Sequence, residues 1–182
     1  MNKPSTFAAP ASFEARFSTS EFITLCEAAD LWLELVDGEL QGMSPPAGAH
    51  GERQATISAL LWNALRGSGL KVTAGIGIDL GSDTVLVCDA AVVREIDGNR
   101  FLRPDVLLLV VEIAETTLAR DMGMKRERYA AAGIPEYWVV DGVRSVIHVY
   151  REPVDGDYAN VRTLRFGEPL AVPQTDQTIV IE

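Results

Sequence analysis

Histidine and cysteine are scarce in this 182-residue chain, with two of each. His50 and His148 cannot build a histidine-rich metal centre. Cys26 and Cys88 are too few for a disulfide framework or a zinc site. Basic residues are outnumbered, 16 Lys and Arg against 26 Asp and Glu, giving a formal net charge of −10. That balance lacks the broad positive footprint of a general nucleic-acid coat. No apolar run approaches the ~18 to 20 residues of a membrane span. The N-terminus places no apolar core behind a basic start, so no secretory leader is expected. The glycines of GIGIDLG, at 75, 77 and 81, do not form G-x-G-x-x-G, and no phosphate-loop lysine follows. H-E-x-x-H and G-x-S-x-G are both missing. These absences point to a soluble protein of a reducing cytoplasm, with no membrane partner.

What is present is a globular composition, 47% hydrophobic, enough for about one domain with a sizeable core. Residues 1–20 are rich in Pro, Ser and Ala and read as a flexible extension, with Phe13 and Phe17 as its docking residues. Residues 21–182 read as a single domain. Charge is uneven: residues 94–165 hold 11 basic and 12 acidic residues, so most of the positive charge lies in the second half.

The hydrophobic patterning predicts a mixed α/β order. Ser20 is placed as the cap of a short helix over Glu21–Asp30. Trp32–Val36 and Glu39–Met43 form a hairpin about Asp37-Gly38, ended by Ser44-Pro45-Pro46. His50–Arg66 is a helix, with Ile57, Leu60, Leu61, Ala64 and Leu65 at helical spacing. Strands follow at Val72–Leu80 and Thr84–Val93. Asp105–Ile113 is a nearly all-apolar run, as in a strand buried on both faces. A second helix spans Asp121–Ala132, ended by Gly133 and Pro135. Tyr137–Val140 is another buried strand. Ser145–Arg151 and Tyr158–Leu164 make a hairpin about Asp155-Gly156. His148 is placed on an edge strand and given no role.

Three charged residues stand where apolar ones are expected. Glu112 lies near the end of VLLLVVEI, Asp89 between VLVC and AAVV, and Lys125 four residues after Asp121 on the second helix. An acid inside a buried strand is costly unless paired or metal-bound. Two neighbouring strands with one acid each invite a shared divalent cation, and hard oxygen donors suit magnesium, with manganese as a substitute. Arg103-Pro104-Asp105 followed by Glu112 imitates a metal pair. On one continuous strand, however, these two acids stand ~23 Å apart, whereas ligands of one cation lie within roughly 5 Å of each other. Asp89, on a separate strand, can partner Glu112. The spacing also places Asp121 as an ion-pair partner for Lys125. Arg120, Lys125, Arg126 and Arg128 offer a candidate phosphate-facing surface. Tyr129, Tyr137 and Trp138 are read as core and site wall.

GEL at 38–40, SPP at 44–46, His50, Asp89, VVEI at 110–113, D-x-x-x-K at 121–125 and YAAAGIPEYWVVD at 129–141 together resemble the putative restriction endonuclease family. This family belongs to the PD-(D/E)xK nuclease superfamily. The resemblance runs from about Trp32 to Tyr150 and is most specific from Glu112 to Asp141. It implies a restriction-endonuclease-like core, a mixed β-sheet flanked by helices, here with extra β-hairpins. It implies that Asp89 and Glu112 bind metal and that Lys125 is the superfamily lysine, moved from strand to helix. Glu39 and His50 match recurrent polar positions at the rim of such sites. Cys88 stands where the superfamily has proline, and Ala114 where the strand lysine sits.

The expected function is therefore a magnesium-dependent endodeoxyribonuclease. Asp89, Glu112 and the backbone carbonyl of Ile113 would hold the cation, Lys125 would orient the attacking water, and Glu39 or His50 would supply an outer hydrogen bond or proton route. Cutting a duplex needs two such sites, hence a homodimer. The alternative is a degenerate member that binds nucleic acid or a protein without cleavage. It is motivated by the charge of −10 and by Cys88 and Ala114.

Overall fold

The computed structural model describes residues 15–28, 33–43, 45 and 47–182. The expected residues Phe13, Asp30, Trp32, Ser44 and Pro46, with most of the N-terminal extension, lie outside the described residues. Arg16 and Phe17 dock rather than trail. The Phe17 N–H donates to the Gly38 carbonyl at 2.8 Å, and its ring packs beside Phe22, Leu35 and Val85. Helix α1 (Thr19–Ala28) is capped by Ser18, not Ser20. The Ser18 hydroxyl accepts the Glu21 N–H, and the Glu21 carboxylate accepts the Ser18 N–H at 2.8 Å. This reciprocal box requires a glutamate three residues beyond the cap, and only Ser18 has one.

The other elements follow the apolar pattern closely. They are β1 (Leu33–Val36), β2 (Glu39–Gly42), α2 (Gly48–Ala64), β3 (Lys71–Gly81), β4 (Thr84–Val93) and β5 (Leu107–Ala114). A helical run comes next, α3 (Leu118–Arg120), a π-helical turn (Asp121–Lys125) and α4 (Arg126–Ala131). Strands β6 (Glu136–Asp141), β7 (Val146–Val154) and β8 (Asp157–Arg165) complete the main sheet. Asp37 and Gly38 both have positive φ, 50° and 82°, as a two-residue hairpin turn demands. Two short strands, β9 (Leu170–Ala171) and β10 (Thr178–Ile179), form a separate pair that the sequence reading did not anticipate.

Among the described residues the main sheet has eight strands in the order β2-β1-β4-β5-β6-β7-β8, with β3 along the other side of β4. Only β5 and β6 pair in parallel, the connection being the helical run. His148 lies on β7, which is interior, so its expected place on an edge is corrected; β8 is the strand outside it. Strands β5 and β6 are buried at every position, because each face of the sheet carries its own core. One contains Tyr129, Tyr137, Tyr150 and Tyr158 with Leu86, Val110 and Val139. The other packs α2, through Ile57, Leu61 and Leu65, and the C-terminal residues Leu170 and Ile179 onto Trp138 and Leu109. This is the mixed α+β sheet flanked by helices that the sequence led us to expect. No described helix is long and apolar enough to cross a membrane.

Strand β4 positions the site. Its start pairs with β1 at Val85, and its end pairs with β5 from Ala90 to Val93. Between these stretches β1 and β5 part. The backbone groups of that gap need other partners, since a buried N–H or C=O left unpaired is costly.

Candidate active site

Charged side chains fill the gap. Glu34 of β1, fully buried, accepts the Val87 N–H at 2.8 Å. The Lys125 ammonium donates to the Val87 carbonyl at 2.8 Å. Thus one residue of a central strand has both backbone groups held by ionised side chains. Lys125 also donates to Glu112 Oε1 at 2.9 Å and stands 3.1 Å from Glu34 Oε1. The Tyr129 hydroxyl donates to the same Glu112 oxygen at 2.8 Å. The other Glu34 oxygen forms an ion pair with Arg120.

Asp89 lies two residues further along β4. Its Oδ1 is 2.9 Å from His50 Nε2 on α2, and its Oδ2 accepts the Ile113 N–H at 2.6 Å. Its backbone carbonyl accepts Gln54 Nε2 at 2.8 Å. Gly75 of β3 lies opposite Asp89. The ladder passes from Ala74↔Ala90 to Ile76↔Cys88, and Gly75 between them has φ 60°, a conformation glycine adopts without strain.

A cleft of about 780 Å³ opens over this cluster, lined among others by His50, Gln54, Asp89, Glu112 and Asp121. Four carboxylates line it, on Asp89, Glu112, Glu115 and Asp121, against two permanent cations, Arg120 and Lys125. Adding the flanking Glu34 and its ion pair, and Arg53 with its partner Glu115, leaves the difference at two. The fields follow from this crowding. Burial pushes the Glu112 carboxyl well above the usual glutamate range; Lys125 opposes this, and Asp89 and Asp121 add to it. Burial likewise raises Asp121, against a hydrogen bond from Thr117. For Lys125 burial favours the neutral form, but Glu112 and Glu34 outweigh it and hold the ammonium above its ordinary value.

The sequence matches the family described as putative restriction endonuclease (Uma2) over residues 19–180. The chain belongs to this family. Its fold is similar to the crystal structure of a protein described as a putative nuclease belonging to DUF820 from Anabaena variabilis. That match has a TM-score of 0.66 and 18% identity, and covers 90% of this chain and 94% of the other. A search of curated proteins found no match.

In this member of the putative restriction endonuclease family, the structure brings together Asp89, Glu112, Ile113, Lys125 and His50 of the expected set. Glu39 does not join them. It is exposed and paired to Arg16 at 3.1 Å, because β2 turns it to the outer side of the hairpin. The acid that this hairpin contributes is Glu34, which the sequence reading missed. It satisfied the same criterion as Glu112, a carboxylate inside an apolar strand, but on a strand of only four residues. Gln54 was also missed, and nothing local marks it.

Three further expectations are corrected. Asp121 forms no ion pair with Lys125, because the π turn between them removes the four-residue stacking of an α-helix. Asp105 lies not on β5 but on the 3-10 turn (Pro104–Val106), where it pairs with Arg103. The phosphate-facing arginines are engaged, Arg126 by Asp157 at 3.0 Å, Arg128 by Asp37 and Arg120 by Glu34.

Proposed function

We propose that this protein is a metal-dependent endodeoxyribonuclease whose site is the cleft between α2 and the gap in the sheet. The charge deficit of that cleft carries the reading. Carboxylates from two strands meet over an opening where acidic side chains outnumber the permanent cations by two, which fits a divalent cation such as Mg²⁺ or Mn²⁺ whose charge would favour their ionised forms. Among the described residues no group of three or more His, Cys, Asp or Glu is arranged to hold a metal, so the donor set is Asp89, Glu112 and the carbonyl of Ile113. The Ile113 N–H points at Asp89, and in a strand the carbonyl of a residue turns to the same side as its N–H. Magnesium needs only one or two carboxylates beside its waters.

Bound there, the cation would act as a Lewis acid toward the scissile phosphate and lower the pKa of a water. The chain's own residues prepare the rest. Lys125 orients Glu112 and places fixed positive charge behind it, where charge on a phosphoryl group in the transition state would be offset. Tyr129 fixes the same Glu112 oxygen, leaving the other for the cleft. His50 and Gln54 hold Asp89 from the α2 side, His50 being placed to relay a proton. A homodimer would carry two such sites; sedimentation of the protein in solution tests that assembly.

The rival is a protein that binds nucleic acid without cleavage. It is favoured by the engagement of both Asp89 oxygens within the chain. Conversion of supercoiled plasmid to nicked circles in Mg²⁺ or Mn²⁺ at low salt, parent beside Glu112→Gln, separates the two. Metal-dependent nicking lost in the variant supports the nuclease. Equal nicking by both preparations overturns the proposed site. Folded parent protein with no nicking and no divalent binding supports the rival.

A further inference from the structure

Helix α2 turns one face to the cleft through His50, Gly51, Gln54, Ala55 and Ser58. At 3.6 residues per turn the stripe of Gly51, Ala55 and Ser58 continues to Trp62, ~6 Å beyond Ser58 along the axis. The adjacent stripe, Ile57, Leu61 and Leu65, is the buried one, whereas Trp62 is 56% exposed. The ring is therefore no part of the core. Arg66, one turn later, lays its guanidinium over the indole at 5.3 Å from the ring centre. An exposed aromatic face under a cation, in line with the cleft, is the arrangement on which unpaired bases stack.

The cleft and the charges around it favour the same kind of ligand. A volume of about 780 Å³ is that of a small-molecule site, enough for about one or two nucleotides of an extended strand. Binding along a duplex rests on a series of Lys and Arg contacts to phosphates. Here Arg53, Arg120, Arg126 and Arg128 are held by carboxylates of the chain itself. A single strand also has phosphates to contact, but its unstacked bases gain from an aromatic platform what the already stacked bases of a duplex do not.

We infer that each site takes one unpaired strand of nucleic acid, with its backbone in the cleft and a base stacked on the Trp62–Arg66 platform. This deepens the nuclease reading and rests on it for the role of the cleft.

Anisotropy of a fluorescent oligothymidylate of about twelve nucleotides, at low salt with Ca²⁺ in place of Mg²⁺ or Mn²⁺, measures binding without cleavage. The single strand is expected to bind more tightly than a duplex of equal length. Trp62→Ala is expected to weaken it roughly tenfold and Trp62→Phe to keep most of the affinity. Equal binding by parent and Trp62→Ala, or tighter binding of the duplex, would overturn the proposal. So would dissociation of an oligomer on Trp62→Ala, which would make Trp62 a contact between copies of this chain. Hydrolysis of bis(p-nitrophenyl) phosphate by the parent with Mn²⁺ tests the cleft separately, since that ester is too small to depend on the platform. Its absence would count against the nuclease reading, while binding that does not depend on Trp62 would count against the platform alone.

Discussion

Two buried glutamates of neighbouring strands are built from the same parts to different ends. Glu136, at the start of β6, accepts the Trp138 indole N–H at 2.6 Å and the Arg151 guanidinium at 2.8 Å. Glu112, near the end of β5, accepts the Tyr129 hydroxyl and the Lys125 ammonium. Each carboxylate has an aromatic donor and a cation. At Glu136 one acid meets one base, and the account closes. At Glu112 the single ammonium is shared with Glu34, and Asp89 and Asp121 crowd the same cleft. Burial of a glutamate is thus no mark of function by itself. The unbalanced surroundings distinguish the candidate site from a structural ion pair.

The sharpest way to break this comparison is to remove each cation. Lys125→Met leaves two buried carboxylates facing each other and is expected to cost about 3–5 kcal/mol in urea denaturation. Arg151→Met removes a cation that is itself 30% exposed, leaves the buried Glu136 its indole partner, and is expected to cost less, about 1–2 kcal/mol. Equal losses would mean that the two sites are electrostatically alike.

Metal should sharpen it next. Losing a neighbour that supports a ligand costs roughly 10–100-fold in metal affinity, so Glu112→Gln is expected to lose at least that for Mn²⁺ by calorimetry. Glu136→Gln should leave the isotherm unchanged. Excess Mg²⁺ at about 100 times its dissociation constant should stabilise the parent by about 2.7 kcal/mol, and an unchanged melting temperature would count against the cation.

The smallest effect is a slope. Burial raises the Asp121 carboxyl above its ordinary value. A raised carboxyl contributes stability in its protonated form, complete below its unfolded pKa of about 3.9 and lost as pH rises through the folded value. Asp121→Asn stays neutral throughout, so it should gain on the parent as pH rises from about 4 through the folded value. Parallel stability curves for the two proteins would contradict this.

Much of this arrangement was legible in the residues. An eight-residue apolar strand interrupted by one acid located Glu112, and the same reasoning found Asp89. Distance along an extended chain set aside Asp105 before its 3-10 turn was known. Glu34 was legible by the same rule, but the turn-flanking Gly38-Glu39 pair drew the assignment to the other strand of the hairpin. Other features were not legible, for physical reasons. The partners of Arg126 and Arg128 lie at Asp157 and Asp37, and long-range pairing leaves no local pattern. Strands of two residues, such as β9 and β10, have no period to read. A π turn looks like any helix in sequence, yet it decides which way Lys125 points.

The gap in β4 also makes a reporter. Amide hydrogens of a central strand usually exchange with solvent only when the sheet itself opens. The Val87 amide is bound instead to the carboxylate of Glu34, a group whose hold depends on Lys125 and Arg120. Its exchange rate therefore tracks the integrity of the site, while its neighbours at Ala90 to Val93 track the sheet. One resonance set within a few residues of β4 would then separate an event in the cleft from unfolding of the protein.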